Sequence, residues 1–187
     1  MTQLYDLAVP TFTQTLSALE GVLEKAEVYF LDSGLDPDDV VTTSLTDDMA
    51  PFHFQIEALR NHSVWGLKAV KTGVFAPPPL VGEMPFSDLR AMLGQATRSL
   101  EALTPDEVNS WSREDFDIDL FQPRYEANPT TSDWTPRTLA FTTETFLLSY
   151  SMPNFYFHAV TAYNILRSQG VPLSKRDYQG WLRTKSS

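Results

Sequence analysis

The chain has three histidines, His53, His62 and His158, and two of them fall in patterns that could build a site. In the segment Met152-Pro153-Asn154-Phe155-Tyr156-Phe157-His158, Asn154 and His158 are four residues apart, so on a helix they share one face, one turn from each other. The steps from Leu59 to His62, Gly66 and Ala69 put His62 on an inward-facing row of another helix, beside small residues that leave room. Imidazole is a good metal ligand when its second nitrogen is held by a hydrogen bond, and facing helices can converge such groups. For His62 the alternative is a hydrogen-bonded histidine that only fills the core. Without a metal, His158 (reference pKa ~6.5) could move a proton while Asn154 and Tyr156 or Tyr150 donate to a developing oxyanion. Such a pocket, with Trp65 nearby, suits isomerisation, dehydration or ring closure of an aromatic or polyketide-like molecule. That idea rests on the helix-four aromatics Phe146, Tyr150, Phe155, Tyr156, Phe157 and Tyr163, most of which are expected to be core rather than pocket.

Long helices must position these groups. Phe12, Leu16, Leu19, Leu23, Ala26 and Phe30 form a continuous apolar stripe on a first helix that ends near Gly34. Asp36 to Leu45 is polar and acidic, and Pro37 suits a first helical turn, so a short helix or loop is expected there. Asp47 or Asp48 can cap a second helix through Ile56, Leu59, Trp65 and Leu67 to Gly73, and Pro77-Pro78-Pro79 stops any continuation. Leu89, Leu93, Ala96, Leu100 and Leu103 mark a third helix with Ser87 as its expected cap, and Thr104-Pro105-Asp106-Glu107 opens a short one. The period then changes to two: Phe116, Ile118 and Leu120 alternate with aspartates, and Leu139 and Phe141 alternate with Thr138, Ala140 and Thr142. These two strands, with the polar linker Gln122 to Pro136 as a long tip, predict a small hairpin. Glu144 to Gln169 returns to helix and stops at Gly170-Val171-Pro172. Pro153 either kinks that helix or marks where it begins in earnest. The predicted architecture is an all-α antiparallel four-helix bundle with a two-stranded hairpin insert before the last helix, as a single domain over 1–187.

Composition removes whole classes of function. A net charge of -10 repels phosphate backbones and anionic lipid surfaces, so nucleic acid and membranes are not expected partners. The absence of cysteine excludes disulfides, thiolate nucleophiles, zinc fingers and iron-sulfur clusters. No apolar run approaches the ~20 residues of a membrane span, and Met1 to Pro10 lacks a signal-peptide pattern, so a soluble cytoplasmic protein is expected. There is no G-x-S-x-G elbow, G-x-G-x-x-G turn or Walker loop. Asp115, Asp117, Asp119 and Glu126 match an EF-hand count, but Leu120 replaces the obligatory glycine and Pro123 interrupts the loop. His53 and Glu57 read as a surface pair, and Lys175-Arg176-Asp177 as helix-end electrostatics.

Pro153-Asn154-Phe155-Tyr156-Phe157-His158, Ala162-Tyr163, Leu166-Arg167 and Gly170-Val171-Pro172-Leu173 with Lys175-Arg176-Asp177 resemble the terminal signature of an uncharacterised family in the DinB/YfiT-like four-helix-bundle superfamily. Leu4-Tyr5-Asp6, Val9-Pro10-Thr11-Phe12 and Asp48-Met49 ahead of His62 are similar too, so the resemblance spans nearly the whole chain. It implies a divalent metal such as zinc, nickel or iron, held by a helix-two histidine and an H-x-x-x-H pair on helix four. His62 and His158 match two of those ligands, and Asn154 stands where the third belongs. A carboxamide is a weaker donor, so a two-histidine site must recruit water, substrate or a carboxylate. The resemblance also implies a homodimer.

The leading expectation is a non-redox small-molecule enzyme of isomerase, lyase or cyclase type, in specialised metabolism. Its expected catalytic groups are His158, His62, Asn154 and Tyr156, with Tyr150 and Trp65 binding substrate. The rivals are a metal-dependent transferase or hydrolase of the DinB type, and a ligand-binding or scaffold bundle that has lost its metal site.

Overall fold

The computed structural model describes residues 3–120 and 137–184, and the linker tip at 121–136 lies outside the described residues. The chain is mostly helical, with one small sheet. Helix α1 (Leu4–Asp32) runs further toward the N-terminus than the stripe from Phe12 suggested, because it passes through Pro10 and starts at a capping box of Gln3 and Asp6. The six expected stripe residues are all buried. Gly34 follows at φ 71, the left-handed conformation that glycine adopts without strain.

A short 3-10 turn, Pro37–Val40, is capped by Asp36. The neighbouring Asp38 carboxylate accepts from the Phe86 backbone N–H at 2.7 Å. That contact caps α4 (Phe86–Glu101) from a distance, so Ser87 is not its cap; the helix follows Pro85. Between them lies a rod of three pieces: α2 (Phe52–Arg60), a wide π-helical turn (Asn61–Trp65) and α3 (Gly66–Thr72), which ends at Gly73 with φ 83. Neither Asp47 nor Asp48 caps it; the rod begins behind Pro51, and Asp48 accepts from Thr46. Thr104 caps α5 (Pro105–Asn109) through Glu107, as its sequence demanded.

Among the described residues the sheet has three strands rather than two. β2 (Phe116–Leu120) pairs antiparallel with β3 (Arg137–Phe141), the expected hairpin. β1 (Val74–Phe75) adds a parallel partner to β2, giving the order β1-β2-β3. Two residues are too few to show a period, so this strand has no sequence signature. Phe116 and Ile118 face the core, whereas Leu139 on the edge strand is exposed.

Thr142 and Thr145 form the box that opens a second composite rod: α6 (Thr143–Phe146), a π-helical turn (Leu147–Ser151) and α7 (Met152–Ser168). Pro153 neither breaks this rod nor starts it. The Met152 N–H reaches back five residues to the Leu147 carbonyl, so the turn before the proline is already widened and accommodates a residue without an N–H. Gly170 at φ 88 ends the rod, and α8 (Lys175–Gln179) folds back on α1.

Helix α1 packs on α4 and α7, and α2 packs on α7 and α4. Phe12 meets Phe155 edge-on at 4.9 Å, and Phe86 joins Phe30 at 6.5 Å and Phe52 at 5.8 Å. Each fully buried Leu or Phe contributes about 1.5–3 kcal/mol of transfer free energy, and these residues form one continuous core. Among the described residues no helix is long and apolar enough to cross a membrane.

Candidate functional site

The two composite rods approach each other at their wide turns. In a regular α-helix the Gly66 N–H would bond to the His62 carbonyl; here it reaches Asn61 and Ser63 instead. The freed His62 carbonyl accepts from the hydroxyl of the buried Ser151, which comes from the wide turn of the other rod. A Cβ on Gly66 would overlap that hydroxyl, so glycine is what permits the close approach. Backbone distortion on both rods thus sets the position of His62.

Beside this contact is a cavity of about 130 Å3. Its polar lining is His62, His158, Asn154, Asn61 and Tyr150, and its apolar lining includes Phe54, Phe75, Pro77 and Leu80. The imidazoles of His62 and His158 lie 5.7 Å apart between centroids and only 12° from parallel. Phe75, brought in by β1, stacks on the other side of His62 at 5.4 Å. Tyr150 meets His62 edge-on at 5.7 Å. The Asn154 amide donates to the Tyr150 carbonyl at 2.7 Å, which holds the carboxamide against its own helix.

His158 has a partner that sequence reasoning missed. Gln55, only 1% exposed, places its Oε1 2.8 Å from His158 Nδ1 and donates from its Nε2 to the Ala50 carbonyl at 2.7 Å. The Ala50 contact fixes which end of the amide is the oxygen. An oxygen can only accept, so His158 Nδ1 carries the proton and Nε2 keeps its lone pair. Burial lowers the His158 pKa to about 4. Burial first, and His158 second, lower that of His62 to about 3. Both imidazoles are therefore neutral at neutral pH. His62 Nδ1 is buried and has no hydrogen-bond partner among the described residues, which is costly unless a ligand or water completes it.

His53 and Glu57 are not the surface pair expected. The Glu57 side chain is fully buried and accepts from the Val81 and Gly82 backbone N–H groups at 2.6 and 3.1 Å, with His53 Nδ1 at 3.4 Å. Glu57 therefore pins the far end of the Pro-rich segment that supplies Pro77 and Leu80 to the cavity wall. Periodicity showed that Glu57 shares a face with His53 but could not show that a loop covers that face.

Two expected site residues lie elsewhere. Tyr156 is two residues from both Asn154 and His158, about 200° around the helix, and points away from the cavity. Burial raises its phenol pKa, opposed by Arg183 and by a hydrogen bond to Thr15 of α1, so it belongs to the contact between α7, α1 and the C-terminal segment. Trp65 is absent from the lining and lies under the Lys68 ammonium, 3.9 Å from its ring centroid.

A metal of the DinB kind needs three protein ligands around an open position. His62 and His158 are close, and the orphaned His62 Nδ1 is the kind of atom a ligand would complete. The third position offers only the Asn154 carboxamide, and among the described residues no group of three or more His, Cys, Asp or Glu side chains could hold a metal ion. The donor set does not fit a three-ligand site.

The domain profile described as "Domain of unknown function (DUF1993)" matches residues 4–179. A crystal structure of a DinB family member protein from Shewanella denitrificans is similar, with 25% sequence identity, a TM-score of 0.76, and coverage of 98% of this chain and 96% of that one. No curated protein matches the chain. With the match running from α1 to α8, the chain belongs to the DUF1993 family, an uncharacterised family that is DinB-like.

Proposed function

We propose that this protein is a non-redox small-molecule enzyme, of isomerase, lyase or cyclase type, in which His158 moves a proton. The carrying observation is the chain from the Ala50 carbonyl through Gln55 to His158 Nδ1, which leaves Nε2 as the basic atom. A pKa of about 4 means that this base is free at neutral pH without first losing a proton. It also means a weak base, suited to substrates whose proton is already acidic, such as the carbon between two carbonyls. Asn154, one helical turn away, supplies a polar group for the oxygen that gains charge as the proton leaves. His62, with its unpartnered Nδ1, is the second group able to exchange a proton or hold the product.

The same reading takes the long helices as an antiparallel four-helix bundle in a single domain over 1–187, which the similarity to the Shewanella protein supports. Deuterium wash-in from heavy water into a panel of small enolisable ketones, followed by NMR, tests the chemistry. His158→Gln should slow exchange by roughly 10²–10⁴-fold with an unchanged circular-dichroism spectrum. Equal exchange by the two proteins overturns the assignment.

A second reading is favoured by the orphaned His62 Nδ1 and the DinB relationship: a metal-dependent transferase or hydrolase whose third ligand comes from substrate or water. Elemental analysis of protein prepared without chelators separates the two, since near-stoichiometric zinc, nickel or iron supports the metal reading.

A further inference from the structure

The size and lining of the His62/His158 cavity restrict what it can hold. A cavity of about 130 Å3 is close to the ~150 Å3 apolar cavity that holds one benzene ring, and well below the ~300 Å3 at which drug-sized ligands begin to fit. Its polar groups are two imidazoles, two carboxamides and a phenol, and among the described residues no charged side chain lines it. Arg60, next in sequence to Asn61 of the wall, is engaged by the Asn61 carboxamide oxygen at 3.3 Å and by the charge of the buried Glu57. A carboxylate or phosphate entering here would lose its water without gaining a counter-charge. The net charge of -10 on the whole chain adds long-range repulsion of anions.

The hydrogen-bonding pattern adds a direction. Gln55 takes the only N–H of His158, so the remaining nitrogen accepts and its partner must donate. From this geometry we propose that the cavity takes an uncharged ligand no larger than about one six-membered ring, with a proton to give, on O–H, N–H or the acidic C–H of the proposed substrate, directed at His158 Nε2. A larger substrate would insert only such a ring or keto-enol unit. This inference rests on the site assigned under the proposed function and names the ligand class of that site.

The test is a histidine-15N NMR titration of the full chain at about pH 7.5, with phenol and benzoate as ring-sized probes, the first uncharged and the second anionic at that pH. Phenol should shift the His158 and His62 resonances saturably, with a Kd on the order of 1 mM for so few atoms. Benzoate should bind at least about 100-fold more weakly, because its carboxylate would be buried unpaired. Benzoate binding as tightly as phenol overturns the proposal. So does the absence of saturable phenol binding, or phenol shifts confined to residues away from both imidazoles. The titration reads occupancy and not turnover. Phenol binding at the two histidines without proton exchange on any ketone would therefore leave the ligand class standing and remove the catalytic role.

Discussion

The helix pair α1 and α4 and the pair of composite rods (52–72 and 143–168) build one core by different means. Neither α1 nor α4 contains a wide turn, and their facing stripes are filled with Leu, Ala and Phe side chains that do nothing but pack. Each composite rod is interrupted by five π-helical residues, the two wide turns meet through Ser151 and the His62 carbonyl, and the cavity, both neutral imidazoles and the orphaned nitrogen lie beside that contact. A wide turn gives up regular hydrogen bonding and re-aims the side chains that follow it, a pattern frequent at functional sites. The regular pair thus contributes stability, whereas the interrupted pair gives some up to hold polar groups in an apolar interior.

If that division is right, acid should attack the interrupted pair first, and this is the largest effect expected. In the unfolded chain each histidine takes up a proton near pH 6.5, whereas in the folded chain His158 waits until about 4 and His62 until about 3. Between these limits the unfolded chain binds two protons that the folded chain refuses. Stability is therefore fully present above about pH 6.5 and falls as pH falls, by about 3 kcal/mol per pH unit at the steepest. Asp177, lowered to about 2 chiefly by its hydrogen bond from Lys25, loses its contribution only at lower pH and stays out of this window. Urea unfolding between about pH 7 and about pH 4.5 measures the slope. Replacing both His62 and His158 by Gln should remove most of it. A slope unchanged in that double variant would mean that carboxylates account for the acid sensitivity and that the two regions do not differ in this way.

The same substitution made in each region gives a smaller and sharper contrast. A Cβ on Gly94 in α4 would meet Arg98 Nη1 and Glu20 Oε2 at 3.3 Å, the movable ends of long side chains. Gly94→Ala should therefore be neutral or gain up to about 1 kcal/mol from helix propensity. Gly66→Ala gains the same propensity but pushes the Ser151 hydroxyl off the His62 carbonyl, and should lose about 1–3 kcal/mol net. Denaturant unfolding of Gly66→Ala, Ser151→Ala and the double variant should show coupling, because the clash and the hydrogen bond involve one oxygen. Additive losses would mean that the two rods do not meet through that contact.

The regular pair was almost fully legible in the sequence and the interrupted pair only in part. Stripes such as Leu16, Leu19 and Leu23 need nothing beyond helical spacing, and Thr104, Gly73 and Gly170 announce helix ends by local chemistry. His62, Asn154 and His158 were also readable as one group, because each lies on a helix face whose phase the apolar residues set. Residue types and spacing do not encode a wide turn, so the rod containing Pro153 was open between a kink and a fresh start. Gln55 and Glu57 were illegible for a different reason: their burial is imposed by segments distant in sequence, α7 over Gln55 and the loop at Val81 and Gly82 over Glu57. Tyr156 was misplaced by treating neighbours in sequence as neighbours in space.

The smallest effect on stability should carry the largest consequence for chemistry. Gln55→Leu keeps the volume of a buried side chain but removes the acceptor for His158 Nδ1, at a cost of about 1 kcal/mol. Without that acceptor nothing holds the proton on Nδ1, and a neutral imidazole lining a cavity should populate the Nε2–H tautomer, which presents a donor where the wild type presents a base. Nitrogen-15 shifts of the imidazole distinguish the two forms, so wild type should read as Nδ1–H and the Leu variant as a mixture or as Nε2–H. A wild-type protein already in the Nε2–H form would mean that the Gln55 amide is turned the other way, and the base at His158 would be lost with it. No substitution of a stripe residue in α1 or α4 should move that tautomer, because nothing in the regular pair accepts from His158. The difference between the two regions then comes down to one proton, whose position depends on a glutamine held by the Ala50 carbonyl at the head of a broken helix.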